Sequence, residues 1–218
     1  MTTDLIMLTD PTSPAAEAYR RLRVNLMSAG REAQLRTLLV AAAAADADKA
    51  SVVANLAVAF ARADKRVIVA DCDLRHPGLH TLFGLDNSAG LTTALAADGP
   101  LPLQATDVPG LQVLTSGPAV AVPSDLLASA GMKQLLARLA DEADVVLLDA
   151  PPVTLATDAA ELAMQVDGVL LVVIAGKTKR DEAQRARDWL VQVGARLVGA
   201  ALVNVAPDVE LRKYLAKR

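Results

Sequence analysis

The chain has 218 residues, 53% of them apolar, which is enough to bury one large α/β core and falls short of two. Its net charge of −3, with one Trp, two Tyr and two Phe, argues against nucleic-acid binding, which relies on a basic face and aromatic platforms. A single cysteine excludes an internal disulfide and fits a reducing cytoplasm.

Met1 to Pro14 carries two prolines with Thr and Asp residues and reads as an extended arm over residues 1–13, ahead of a single domain over 14–218. It has no basic start followed by a long apolar run, so it does not read as a secretory signal. No apolar run reaches the roughly 18 residues of a membrane helix, and a soluble, cytoplasmic protein is expected. Ser13-Pro14 is a helix start, serine capping and proline at the first helical position, and the helix runs to about Ser28. Glu17, Arg20 and Arg23 are spaced by three and share one side of it, as a solvated charged face or as an intermolecular ion-pair seam.

After a polar break at Gly30 to Gln34, Arg36 to Ala43 reads as a strand buried on both faces. A turn ending at Lys49, a helix over Ala50 to Ala63, a strand at Val67 to Ala70 and then Asp71-Cys72-Asp73-Leu74-Arg75 complete a phosphate-binding type of βαβ unit. A helix N-terminus directly after a buried strand directs N–H groups and partial positive charge at an anion. The phosphate-loop pattern G-x-x-x-x-G-K-[ST], laid on Lys49, reads Ala43, Asp48, Lys49 and Ala50, and none of the 12 glycines lies between Arg31 and Pro77.

Gly78 to Pro109 holds short helical pieces such as Leu91 to Ala96, and Leu111 to Leu114 is a short strand. A helical pair from the Pro123-Ser124-Asp125 cap to Ala143, broken at Gly131, leads to the strand Asp144 to Asp149, stopped by Pro151-Pro152. Helix Thr157 to Gln165, strand Val169 to Ile174, helix Lys179 to Val193, strand Leu197 to Val203 and a short basic helix to Arg218 follow. The alternation predicts a mostly parallel sheet covered by helices on both faces, with its site at the C-terminal edge of the strands. That edge receives Lys49, Asp71, Asp73, Asp149 and Asn204. Carboxylates there can hold Mg²⁺, usually through water, while the metal bridges phosphate oxygens.

Four stretches make the resemblance specific: Glu17-x-x-Arg20-x-x-Arg23; Val69 to Pro77 with His80; Pro123-Ser-Asp-Leu-Leu; and Asp144 to Pro152 with Asp158. The chain resembles the cytoplasmic bacterial tyrosine kinases that work with polysaccharide chain-length (co-polymerase) membrane proteins. These form a branch of the deviant phosphate-loop ATPases of cell-division and plasmid-partition type. The resemblance implies a P-loop NTPase-like fold, ATP and Mg²⁺ as cofactors if any are bound, a homo-oligomeric ring and a membrane partner. It makes Lys49 the group that neutralises the β/γ-phosphates, Asp71 the base, Asp73 and Asp149 the organisers of Mg²⁺, and Arg75 the support of the phosphate end. Asn204 would meet the adenine edge, and Glu17, Arg20 and Arg23 would form the subunit seam. For Arg75 a surface ion pair and for Asn204 a strand-end cap are the plainer readings.

Two departures shape the expectation. Where the family has Pro-Gly-x-Gly-Lys-[Ser/Thr], this chain has Ala45-Asp46-Ala47-Asp48-Lys49-Ala50. Glycine permits positive φ and close backbone approach, whereas aspartate tolerates the first only at a cost of about 1 kcal/mol and obstructs the second. Ala50 lacks the hydroxyl that ligates Mg²⁺, unless Ser51 substitutes. The family's tyrosine-rich tail is replaced by Tyr214-Leu-Ala-Lys-Arg, with one tyrosine. The expected function is a regulatory or scaffold component of exopolysaccharide or capsule assembly with impaired ATP binding. The alternatives are an active ATP-dependent tyrosine kinase or ATPase, and a partition-type ATPase binding DNA or membrane through its basic end.

Overall fold

The computed structural model describes residues 5–30, 35–44, 49–97 and 99–206. Chain order gives α1 (Ile6–Thr9), α2 (Pro14–Ala29), β1 (Thr37–Ala42), α3 (Lys49–Ala61), β2 (Val67–Asp71), α4 (Leu79–Phe83), α5 (Leu91–Ala96), β3 (Gln104–Ala105) and β4 (Leu111–Leu114). It continues with α6 (Pro123–Leu127), α7 (Ala130–Glu142), β5 (Val145–Ala150), α8 (Asp158–Ala163), β6 (Gly168–Ile174), α9 (Arg180–Gln192) and β7 (Leu197–Val203). The seven strands are ordered β3-β4-β2-β5-β1-β6-β7, and all pairs are parallel except β3 with β4. This is the single α/β sheet that the alternation of segments predicts.

The period-two geometry of strands divides the core into two layers. Leu39, Ala41, Ile68, Ala70 and Leu148 face Met132, Leu136 and Leu139 of α7, Leu162 of α8 and Leu190 of α9. Leu38, Val40, Val67, Val69 and Leu147 face the other way, against Met7, Leu26 and the apolar length of α3. Of α3, Lys49 and every residue from Val52 to Ala61 are buried, the pattern of a helix covered on all sides. α2 begins as its sequence dictates: Ser13 Oγ accepts from the Ala16 N–H at 3.2 Å, and Pro14 occupies the first turn.

The structure departs from the sequence reading at three places. The arm expected to be extended contains the helical turn α1, because Leu5 and Met7 bury themselves and the Met7 N–H donates to Asn55 Oδ1 of α3 at 3.0 Å. The break between the paired helices falls at Ala128-Ser129 rather than Gly131: Ser129 caps the Met132 N–H, and Gly131 lies inside α7. A short strand, β3, lies in a stretch where only helical fragments, of which α4 and α5 are two, are expected. The turn at 45–48 and the basic end from 207 onward, with Tyr214, lie outside the described residues.

β1 lies between β5 and β6, so the chain leaves β1 toward one side of the sheet and returns from β5 to the other. A crevice opens at such a reversal, outside the C-terminal ends of the strands. Lys49 follows the end of β1 and Asp149 closes β5 at that point.

Candidate functional site

Parallel register brings the acidic residues together. Asp71 at the end of β2 is the direct partner of Asp149 on β5, and the Cys72 N–H donates to the Asp149 carbonyl at 2.9 Å. Adjacent strands are roughly 4.8 Å apart, so two carboxylates at matched strand ends repel unless a cation intervenes. Lys49 brings a cation to Asp149 and to the loop beyond Asp71: its Nζ lies 2.7 Å from Asp149 Oδ1 and 3.1 Å from Asp73 Oδ2. All three side chains are buried, at 7%, 2% and 7% exposed for Lys49, Asp149 and Asp73.

The loop after β2 is closed upon itself. Asp71 Oδ2 accepts from the Gly78 and Leu79 N–H groups, each at 3.0 Å, and Asp73 Oδ1 accepts from the His76 N–H at 3.0 Å. The second oxygen of Asp71 is buried without a hydrogen-bond partner. An orphaned acceptor of this kind is expensive in a core and is found where a site awaits a ligand or a proton. Arg75 Nε and Nη2 each lie 2.9 Å from the two oxygens of Asp158 at the start of α8. Thr154 Oγ1 donates to the Ala43 carbonyl at 2.9 Å, and the Val153 N–H to the Ala42 carbonyl at 2.9 Å. The loop leaving β5 is thereby tied to the chain leaving β1.

Burial and the facing charges set the protonation. Asp149 is pushed up to about 7 by burial, against the pull of Lys49, with the neighbouring Asp71 adding to the rise. Burial also raises Asp71, opposed by the Leu79 and Gly78 N–H groups. Burial alone would lower Lys49, but Asp149 and Asp73 outweigh it and hold the ammonium above its ordinary value. Cys72 rises well above the ordinary thiol range through burial and the adjacent Asp71, which leaves it an inert core side chain.

Among the sequence-predicted residues, Lys49, Asp71, Asp73 and Asp149 converge at this edge, and Arg75 sits on the same loop as Asp73. Ser51 lies in the first turn of α3, half-buried. Asn204 is exposed, with φ of 59°, just beyond β7, and β1 and β6 separate β7 from β5. Glu17 and Arg20 pair at 3.0 Å on α2, and Arg20 also donates to the Pro11 carbonyl. Arg23 points toward Met27, Nη1 lying 3.9 Å from its sulfur, and its Nε is buried without a partner. Sequence reasoning named Asp158 only as part of a motif and overlooked Thr154. An acid opening a helix of apolar residues was the available signal for Asp158.

Hard oxygen donors at a strand edge fit Mg²⁺, and the orphaned Asp71 oxygen shows acceptor capacity not used within the chain. Among the described residues no group of three or more His, Cys, Asp or Glu side chains could cage a metal, so the donors here suit an ion that arrives with phosphate and water. Two clefts lie elsewhere: one is lined by Leu26, Met27, Leu35 and Phe60, another by Arg66, Thr106 and Pro109. Neither includes Lys49, Asp71, Asp73 or Asp149 in its lining.

Comparison with known proteins agrees with this geometry. The family described as ParA, NUBPL iron-transfer P-loop NTPase, matches residues 35–205. The tyrosine-protein kinase YwqD of Bacillus subtilis is 36% identical over 204 residues, 93% of this chain and 86% of that one. The tyrosine-protein kinase etk of Escherichia coli K12 is 34% identical over 198 residues, 90% of this chain but only 27% of the longer relative. The solved kinase domain of Escherichia coli ETK superposes with a TM-score of 0.90 at 32% identity, covering 96% of this chain and 83% of that domain. With a P-loop sheet, a lysine at the start of its helix and acids on the adjoining strand ends, the chain belongs to the bacterial tyrosine-protein kinase family of P-loop NTPases.

Proposed function

We propose that this protein is a regulatory or scaffold member of its family, acting at the cytoplasmic side of exopolysaccharide or capsule assembly, with its own ATP binding impaired. The observation that carries the reading is the sequence Ala45-Asp46-Ala47-Asp48-Lys49-Ala50 where phosphate requires glycine amides. A carboxylate about 5 Å from one phosphate charge adds roughly 3 kcal/mol of repulsion at an effective dielectric of 20. Lys49, the group that would neutralise phosphate, already serves Asp73 and Asp149. A nucleotide must break contacts of 2.7 and 3.1 Å to recruit it. Partners in this reading are a polysaccharide chain-length membrane protein, through its cytoplasmic part, and further copies of this chain through Glu17, Arg20 and Arg23. Among the described residues no helix is long and apolar enough to cross a membrane.

The second reading is an active ATP-dependent tyrosine kinase or ATPase, favoured by the retained Lys49, Asp71, Asp73 and Asp149. Mg-ATP, when bound, supplies the transferable phosphoryl group. In that reading Lys49 and Arg75 would bind and orient phosphate, Asp73 and Asp149 would hold Mg²⁺ with Ser51 in place of a hydroxyl at position 50, and Asn204 would meet the base. The orphaned Oδ1 of Asp71 takes the proton of the attacking hydroxyl. A partition-type ATPase rests only on the basic end at Arg212, Lys213, Lys217 and Arg218, which lies outside the described residues.

Calorimetry decides between the first two. The unaltered protein should bind Mg-ATP weakly or not at all. The triple variant Asp46→Gly, Asp48→Gly, Ala50→Ser should bind at least about 100-fold more tightly, on the order of 3 kcal/mol. Micromolar binding by the unaltered chain would transfer the assignment to the active enzyme.

A further inference from the structure

We propose that Asp158 is a positioning residue: by clamping Arg75 it fixes the loop that aims Asp73 at Lys49 and closes on Asp71 through the Gly78 and Leu79 N–H groups. Asp158 is fully buried, yet both its oxygens are taken by one guanidinium, Nε and Nη2 each at 2.9 Å, while Arg75 itself is 41% exposed. A two-bond fork of this kind fixes orientation as well as distance. A carboxylate desolvated so completely is costly unless it is paired, so the pair cannot be dismissed as a surface contact of little worth.

What the clamp holds follows from the loop. Residues 71–79 are closed internally by Asp71 on the Gly78 and Leu79 N–H groups and by Asp73 on the His76 N–H. Two side-chain ion pairs fasten that loop to the rest of the molecule: Asp73 to Lys49 and Arg75 to Asp158. The first anchor belongs to the site, so it cannot both hold the loop and engage a ligand. The second occupies none of Lys49, Asp71, Asp73 and Asp149, while Arg75 itself is engaged by Asp158. Asp158 also ends the segment whose Val153 and Thr154 bind the Ala42 and Ala43 carbonyls. One short stretch, 153–158, therefore references both the chain leaving β1 at Ala42 and Ala43 and the loop of acids to the end of β5.

The inference rests on reading this edge as a nucleotide-type site, and its test adds no nucleotide, so the two can fail separately. Amide hydrogen exchange of the whole chain, resolved by NMR, compares wild type with Asp158→Asn, Asp158→Glu and Arg75→Lys. Asp158→Asn should speed exchange at His76, Gly78 and Leu79 roughly tenfold beyond any change shared with the central strands, the factor expected when one charge-assisted hydrogen bond is lost. Asp158→Glu should recover most of the protection. Acceleration confined to α8, with His76, Gly78 and Leu79 unchanged, would overturn the proposal and leave Asp158 as a pillar of its own helix. If Asp158→Asn does not fold, Arg75→Lys decides alone. It keeps the charge and loses the fork, so wild-type exchange at the same three amides would equally overturn it.

Discussion

Removing the ammonium of Lys49 would leave Asp73 and Asp149 facing each other in a site from which water is largely excluded. Breaking a buried pair by deleting one partner costs about 3–5 kcal/mol, because the remaining charge has lost its compensation. Lys49→Met should therefore lower the denaturant midpoint by an amount equivalent to roughly 3 kcal/mol, even with no nucleotide present. Asp149→Asn in the same chain should restore part of that loss, since the two changes share a contact and are not additive. A midpoint unmoved by Lys49→Met would assign the lysine to ligand binding alone. Lys49, Asp71, Asp73 and Asp149 were legible in the sequence because each falls at a strand end or helix start, where topology alone delivers it to one edge. Asn204 follows the same rule and is nevertheless exposed beyond β7, because the rule gives the edge but not the distance along it.

At the level of elements, α2 shows how a motif acquires two uses. Arg20 is held by Glu17 and by the Pro11 carbonyl, so part of the motif fastens the N-terminal segment to its own helix. Arg23 has no carboxylate within salt-bridge distance among the described residues, and Val24 and Met27 beside it are 55% and 41% exposed. Charge reversal at Arg23 alone therefore tests the subunit seam more cleanly than reversal at Arg20. Native mass measurements should shift toward monomer for Arg23→Glu, and an unchanged distribution would return this side of α2 to a solvated face. Asp167 makes a comparable contribution to the sheet: Oδ2 accepts from the Arg36 and Thr37 N–H groups at 2.8 Å and the Thr37 hydroxyl at 2.9 Å. Asp167→Ala should destabilise by about 2–3 kcal/mol, read from thermal or denaturant unfolding, because several donors lose their acceptor together. Neither Asp167 nor the helical turn α1 stood out in the sequence, since both depend on partners far along the chain. Ser129 was hidden for a different reason: Gly131 is the stronger breaker by composition, and the serine two residues before it supplies the cap.

For the molecule as a whole, the likeness to tyrosine kinases covers nearly the entire chain. Tyr19, half-buried on α2, and Tyr214 are its two tyrosines. Incubation with Mg-ATP should leave both without stoichiometric phosphate by mass spectrometry, and full occupancy of Tyr214 would promote the active-kinase reading. The fold class was readable because strands and helices alternate along most of the chain, but strand order was not, because it depends on contacts between distant segments. That order has a consequence for synthesis. β1 is flanked by β5 and β6, and the bonds that seat it reach from Arg36 to Asp167, 131 residues later. At roughly 5–20 residues per second a ribosome needs on the order of ten seconds to supply those neighbours. Throughout that interval Leu38-Leu39-Val40-Ala41-Ala42 is an uncharged apolar run with its edges open, the kind of segment that seeds aggregation. The hazard for this protein therefore lies in its birth, when the centre of the sheet has been made and the strands that enclose it have not.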